Sequence, residues 1–145
     1  MEIKMNIAVR YISRGGNTKR VANTIAGAVG EEALDCTMPI PEPVDLLFLG
    51  GAVYGFQLDE SMIAFINSLD TNTVKAAAVF GTSAIVKSGI KKMTGILKAK
   101  GIRVIEPYFY CPGEFKMLHV GHPDAADLKR AAAFAESTRE NYALS

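Results

Sequence analysis

A turn that contains two glycines separates a predicted first strand from a predicted first helix. Its residues are Ser13, Arg14, Gly15, Gly16, Asn17 and Thr18. Adjacent glycines allow the backbone to turn so that several N–H groups point into one concavity. The hydroxyls of Ser13 and Thr18 add donors, and a helix start contributes about half a positive charge. This donor set suits a phosphate dianion; the alternative is an ordinary strand-to-helix turn with Asn17 as the N-cap.

Two further stretches of small residues follow later predicted strands. They are Gly50-Gly51-Ala52-Val53-Tyr54-Gly55-Phe56 and Gly81-Thr82-Ser83-Ala84. Small residues permit the close approach of a planar ligand, and Tyr54 offers an aromatic face for stacking. The alternative is that Tyr54 covers the edge of the sheet beside a glycine turn. Residues 81–88 are not a phosphate-binding P-loop, because Val86 stands where that motif requires its second glycine.

Hydrophobic runs and helical periodicities alternate along the chain. Strands are predicted at Ile7–Ile12, Ala33–Met38, Val44–Leu49, Lys75–Phe80 and Ile102–Tyr110. Helices are predicted over Thr18–Val29 and around Met62–Leu69 with Asp59 or Ser61 as the cap. A third helix is predicted after Ser88 as the cap, with Lys98 and Lys100 in its last turn and Gly101 beyond it, and a fourth from Pro123 with Ala125, Leu128, Ala132 and Ala135 on its buried face. This order is typical of an open parallel α/β sheet, in which ligands bind beyond the carboxyl ends of the strands. The three small-residue stretches lie at such ends.

Prolines constrain two connections. The segment Pro39-Ile40-Pro41-Glu42-Pro43 is too short and too rich in proline for a crossover helix. We expect an extended strap instead, since about six extended residues reach the roughly 20 Å diagonal to the next strand but one. Pro107 falls inside the predicted fifth strand, and this position requires a sheet edge or a bulge.

Composition excludes several classes of protein. Sixteen Lys and Arg residues against fifteen Asp and Glu give the 145-residue chain a net charge of +1, which argues against a dedicated nucleic-acid binder. An apolar content of 49% argues against disorder. We expect a single domain over 1–145, without a membrane span or signal peptide. Cys36 and Cys111 predict two free thiols in a reducing cytoplasm, with a nucleophilic Cys111 as a weaker alternative.

Residues 7–22 resemble the first strand, phosphate loop and helix of the flavodoxin family. The family pattern is a hydroxyl residue, any residue, Thr or Ser, and then Gly-Asn-Thr; here Gly15 replaces the second hydroxyl residue. Residues 46–55 resemble the strand and loop that hold the isoalloxazine ring, with Tyr54 as the flanking aromatic. Residues 80–83 are similar to the third flavin loop. The aromatic residue often found just beyond is replaced by Ala84, Ile85 and Val86.

The resemblance implies a three-layer α/β/α sandwich with a five-stranded parallel sheet in the order 2-1-3-4-5. It also implies non-covalent binding of FMN, with the peptide beside Gly55 reorienting towards flavin N5 on reduction. The implied cofactor-binding residues are Ser13, Arg14, Gly15, Gly16, Asn17, Thr18, Ala52, Val53, Tyr54, Gly55, Gly81, Thr82 and Ser83.

Three functions remain open from the sequence. The first is electron transfer with a redox partner protein, and the second is an FMN-dependent oxidoreductase that takes hydride from NAD(P)H. The third is a flavodoxin-like interaction domain that binds no flavin. Members of the family are typically acidic; at a net charge of +1, we expect a less negative potential for the final flavin reduction step. His119 and His122 are expected to face solvent or to cap the last helix, without a metal.

Overall fold

The computed structural model describes residues 5–54, 57–83, 88–113 and 120–144. Its strands are β1 (Ile7–Tyr11), β2 (Ala33–Asp35), β3 (Val44–Tyr54), β4 (Gln57–Leu58), β5 (Val74–Ser83), β6 (Arg103–Val104) and β7 (Phe109–Pro112). Its helices are α1 (Asn17–Val29), α2 (Glu60–Asn67), α3 (Ser88–Ala99) and α4 (Ala125–Leu144). Within the described part of the chain, every helix is either too short or too polar to span a lipid bilayer.

The sheet has the predicted strand order. Its hydrogen-bonded path runs β2-β1-β3-β5-β6, with all of these pairs parallel. Strand β7 also pairs with β5, and β4 pairs with β3 in the antiparallel sense. One face of the sheet packs against α1 and α4, and the other packs against α2 and α3. The predicted α/β/α sandwich is therefore confirmed, with β6 and β7 sharing the fifth position.

The predicted fifth strand is wrong in its middle. The backbone leaves the sheet between β6 and β7, where Pro107 lacks the N–H that a ladder needs. Strand β6 pairs with Ala76 and Ala77 of β5, whereas β7 pairs with Phe80 to Ser83 further along the same strand. Both short strands lie at the outer side of β5, which agrees with an edge position for the proline.

Two central strands extend past the glycines at which the sequence predicted that they end. Strand β3 continues to Tyr54 rather than Leu49, and β5 continues to Ser83 rather than Phe80. Their ladder includes the pairs Gly51 with Gly81 and Ala52 with Thr82. By contrast, β2 ends three residues early, at Asp35 rather than Met38. Glycine is an unreliable end signal here because neighbouring core side chains fill the space above it.

The buried face of α4 differs from the predicted one. Of the four predicted inward residues only Ala135 is buried, while Ala125 is exposed and Leu128 is half-buried. The buried face consists of Asp127, Ala131, Ala135 and Thr138. The sequence pattern did not predict that Asp127 and Thr138 are buried, because it assigns only apolar residues to inward positions.

The strap between β2 and β3 is confirmed as a connection without a helix. The side chain of Arg10 contacts the strap. Arg10 lies on β1 and is only 4% exposed, which is unusual for a charged residue. The guanidinium donates hydrogen bonds to the carbonyl oxygens of Met38 at 3.1 Å, Pro39 at 2.8 Å and Val9 at 3.1 Å. Burial lowers the pKa of Arg10. A buried cation thus replaces the crossover helix as the support for this segment.

Replacement of Arg10 by Met should destabilise the protein. The substitution keeps an unbranched side chain but leaves the strap carbonyls without their donors, which costs about 1–3 kcal/mol when such groups are buried. Urea denaturation measures the loss of unfolding free energy. The control is Arg20→Met on the exposed surface of α1, which should stay within about 0.5 kcal/mol of wild type. Equal effects of the two substitutions would contradict the role assigned to Arg10.

Candidate functional site

The turn at residues 13–18 places a helix start directly beyond the end of β1. Gly16 is the N-cap of α1 with a φ of +90°, a left-handed conformation that favours glycine. Its N–H donates to Ser13 Oγ at 3.1 Å, and its carbonyl accepts from the Arg20 N–H at 3.0 Å. The N-cap is therefore Gly16 and not Asn17, as the alternative of an ordinary turn had it. Because glycine has no capping side chain, the first-turn N–H groups are suited to an anion.

A buried hydrogen bond joins this turn to the end of β5. The Oγ1 atoms of Thr18 and Thr82 lie 2.9 Å apart, and the residues are only 1% and 3% exposed. The contact brings the first and third predicted stretches together, as the resemblance implied. It also shows that each hydroxyl has a protein partner, a feature that the sequence pattern did not predict.

The backbone after β7 closes the turn from another side. A Cβ atom built on Gly113 would lie 3.0 Å from Asn17 Nδ2 and 3.2 Å from Thr82 Cβ. The chain therefore passes too close at this point for a side chain. The sequence analysis did not assign a role to Gly113. A glycine directly after a strand was the feature that could have indicated a close approach of the backbone there.

An ion pair joins the turn to α2. Arg14 donates from Nε and Nη2 to Asp59 Oδ2 at 3.0 and 2.6 Å. The carboxylate is 6% exposed, whereas the Arg14 side chain is 66% exposed. Asp59 Oδ1 accepts from the Ser61 N–H at 2.8 Å and caps α2, which confirms Asp59 as the predicted cap. Burial raises the pKa of Asp59, but hydrogen bonds from Ser61 and Arg14 outweigh it and hold the pKa below its ordinary value.

The glycines of the second and third stretches have a packing role. A Cβ on Gly50 would lie 2.0 Å from the Phe80 ring, and one on Gly51 would lie 3.0 Å from Met62 Cε. A Cβ on Gly81 would lie 3.0 Å from the Gly51 carbonyl oxygen and 3.3 Å from Ile90. Packing of core atoms therefore favours glycine at these three positions. Contact of the cofactor with the Gly81 backbone stays a prediction.

The remaining predicted residues lie at the ends of β3 and β5. Val53 and Tyr54 pair with Leu58 and Gln57 in a hairpin, so they belong to a strand rather than to a loop. The register also places Ala52 beside Thr82, and Ser83 beside Pro112. The backbone alone is described for Ala52, Val53, Tyr54 and Ser83. Gly55, Phe56 and the segment 84–86 lie outside the described residues.

The two cysteines are suited to packing rather than to nucleophilic chemistry. Cys111 is 1% exposed, and burial, reinforced by the nearby charge of Asp127, raises its pKa to about 12. Burial likewise raises the pKa of Cys36 to about 12. A thiol with so high a pKa is not a thiolate at neutral pH, and both this pKa and the burial of Cys111 argue against the alternative of a nucleophile.

The start of α4 contains a reciprocal cap. Asp124 Oδ1 accepts from the Asp127 N–H, and Asp127 Oδ2 accepts from the Asp124 N–H, both at 2.9 Å. His122 Nδ1 lies 2.6 Å from Asp127 Oδ2, and Arg130 also pairs with Asp127. The three side chains His122, Asp124 and Asp127 lie within 4.8 Å of one another, and helix capping accounts for the arrangement. His122 contacts the side chain of Asp127, and its own side chain is 34% exposed, so capping by His122 stays a prediction. His119 lies outside the described residues.

Comparison with known proteins begins from the sequence. No model of a protein family matches the chain. It is 30% identical over 138 residues to the uncharacterized protein MJ0298 of Methanocaldococcus jannaschii, with 86% of this chain and 91% of the archaeal protein covered. The chain belongs to the family of MJ0298.

Solved structures define the fold of this family member. A flavodoxin from the domain Archaea superposes with a TM-score of 0.79 at 15% identity, covering 95% of this chain and 99% of its own. Flavodoxin 1 from Bacillus cereus superposes with a TM-score of 0.73 at 22% identity, covering 92% of this chain and 97% of its own. This relative of MJ0298 therefore has a flavodoxin-like fold.

The Thr18–Thr82 contact is testable by a double-mutant cycle. Thr18→Val or Thr82→Val alone leaves a buried hydroxyl without a partner, which costs about 1–3 kcal/mol of unfolding free energy. The double variant removes both hydroxyls and should lose less than the sum of the single losses. Denaturant titrations of the four proteins measure the coupling. Strictly additive losses would show that the hydroxyls do not interact.

The His122–Asp127 pair predicts a pH-dependent contribution to stability. The hydrogen bond with Asp127 raises the pKa of His122 above its ordinary value of 6.5. Stability from a raised histidine pKa is fully present below the ordinary pKa and is lost as pH rises through the raised one. Proton NMR should show one histidine titrating above 6.5, and that signal should vanish in His122→Asn. A His122 pKa at or below 6.5 would exclude the contact.

Proposed function

We propose that this protein binds FMN non-covalently and acts in electron transfer. The observation that carries the proposal is the turn at residues 13–18, which already has the backbone form of an anion site. Left-handed Gly16 starts α1 without a capping side chain, and separate contacts of Arg14, Asn17 and Thr18 reach α2, Gly113 and β5. A turn with this many outside contacts needs little reorganisation to receive a phosphate.

The donor set of the turn fits a phosphate group. The first-turn N–H groups of α1, the Ser13 hydroxyl and the Thr18 hydroxyl would hold it. If Thr82 donates the hydrogen in the Thr18–Thr82 contact, the Thr18 proton remains for a phosphate oxygen, since a hydroxyl both accepts and donates. When bound, FMN supplies the redox chemistry, and the chain positions the ring and sets its electrostatic surroundings.

The ends of β3 and β5 are proposed to hold the flavin ring. They lie on the same edge of the sheet as the turn, because Tyr11 of β1 pairs with Gly50 and Ala52 pairs with Thr82. The residues proposed there are Ala52, Val53, Tyr54, Gly55, Gly81, Thr82 and Ser83. The fold shared with solved proteins named as flavodoxins supports this proposal.

The proposal predicts a difference between FMN and riboflavin, which lacks the phosphate. Gly16→Ala forces a side chain into the left-handed region at a cost of about 1–2 kcal/mol, so the phosphate turn is distorted. FMN affinity should fall about tenfold while riboflavin affinity changes little, as measured by quenching of flavin fluorescence. The control is Gly27→Ala inside α1, where a Cβ meets open space and both affinities should be retained.

The first measurement is the absorbance spectrum of the purified wild-type protein before and after FMN is added. Uptake of FMN with a shifted flavin spectrum is expected, and failure to take up FMN would favour the interaction-domain alternative. The loaded protein is then mixed with NADPH alone. An electron carrier should stay oxidised until a reductase protein is added, whereas rapid bleaching without a partner would identify an oxidoreductase.

A further inference from the structure

We propose that Arg14, held in place by Asp59, is the charged group by which this protein recognises the phosphate of its ligand. This inference rests on the proposed function and assigns specificity to two side chains of the same site. Arg14 occupies the second position of the turn at residues 13–18 and carries the only formal charge in that segment. A guanidinium at such a position favours a phosphate dianion over a neutral hydroxyl group.

The two members of the Arg14–Asp59 ion pair differ in exposure and in their other contacts. Asp59 is the fixed member, because its carboxylate is 6% exposed and its second oxygen caps α2 through Ser61. Arg14 has a long side chain that is 66% exposed, so packing restricts its rotamers little. An exposed arginine ordinarily samples many rotamers, and two hydrogen bonds to one buried oxygen restrict that freedom. The charge is thereby held at the N-cap of α2, one connection away from the turn that carries Arg14, before any ligand arrives.

Gly15, which follows Arg14, leaves the turn with one side-chain hydroxyl fewer to bind a phosphate. A Cβ on Gly15 would meet open space, so neither packing nor a left-handed backbone requires glycine there. The position nonetheless has no side-chain donor, and the turn has the hydroxyls of Ser13 and Thr18 alone. Thr18 in turn shares its hydroxyl with Thr82. With few hydroxyl donors in the turn, a fixed guanidinium accounts for selective recognition of a dianion.

Arg14→Gln is the direct test of the charge. FMN affinity should fall by about tenfold or more, the range expected for loss of a charged hydrogen-bond partner, while riboflavin affinity is unchanged. Arg14→Lys keeps the charge without the paired N–H geometry and should give an intermediate loss. Arg103→Gln removes an exposed cation on β6, away from the turn, and is the matched control, with FMN affinity close to wild type.

Asp59→Asn decides between positioning and simple electrostatics by the sign of its effect. Asparagine caps a helix as well as aspartate does, so Ser61 keeps its acceptor and the melting temperature should change little. If Asp59 positions Arg14, loss of the ion pair lowers FMN affinity even though a negative charge has been removed. If Asp59 merely competes with the phosphate, the same substitution raises FMN affinity, and the positioning role is overturned.

The outcomes separate this inference from the proposed function. The selective loss of FMN affinity in Arg14→Gln should weaken as salt is added, because added ions screen an exposed charge. Unchanged FMN affinity in Arg14→Gln overturns the inference, and the proposed function then stands on the effect of Gly16→Ala. Failure of the wild-type protein to bind FMN overturns both.

Discussion

The parallel pairing of β3 with β1 on one side and β5 on the other is the constraint on which the candidate site depends. This pairing places Gly50 beside Tyr11 and Phe80, and Ala52 beside Thr82. Parallel strands end at a common edge, so the turn after β1 meets the ends of β3 and β5 there. Where Gly50 pairs with Phe80, the Phe80 ring fills the space that a side chain at position 50 would occupy, so this pairing requires glycine there.

Polar contacts then fix three of the connections that leave the sheet. Arg10 supports the strap, Thr18 and Thr82 join the first turn to β5, and Asp59 joins that turn to α2. In surroundings of low dielectric, an unpaired polar group is costly, so each contact strongly favours one position of its connection. The contacts of Thr18 and Arg14 therefore fix the turn at residues 13–18, the proposed phosphate site, against β5 and α2.

Sequence reasoning predicted those features that depend on local chemistry. Proline density between β2 and β3 excluded a helix, and Asp59 preceded an amphipathic pattern as a cap. It failed where a distant side chain decides. Gly50 and Gly81 signalled strand ends, yet Phe80 and Ile90 pack into the space that they leave and the ladder continues. Asp127 failed for a different reason: its partners His122, Asp124 and Arg130 are near in sequence, but a pattern of apolar inward positions does not include a charged side chain that is buried with its partners.

The sequence by itself determined the order of strands and helices, the extended strap and the candidate phosphate turn, because alternating hydrophobicity, proline and glycine act within a few residues. Only the tertiary structure decided that Thr18 contacts Thr82, that Gly113 closes on Asn17 and that Arg14 pairs with Asp59. Each of these contacts joins residues at least 45 positions apart. Such partners are selected by strand register and helix packing, which no local pattern encodes.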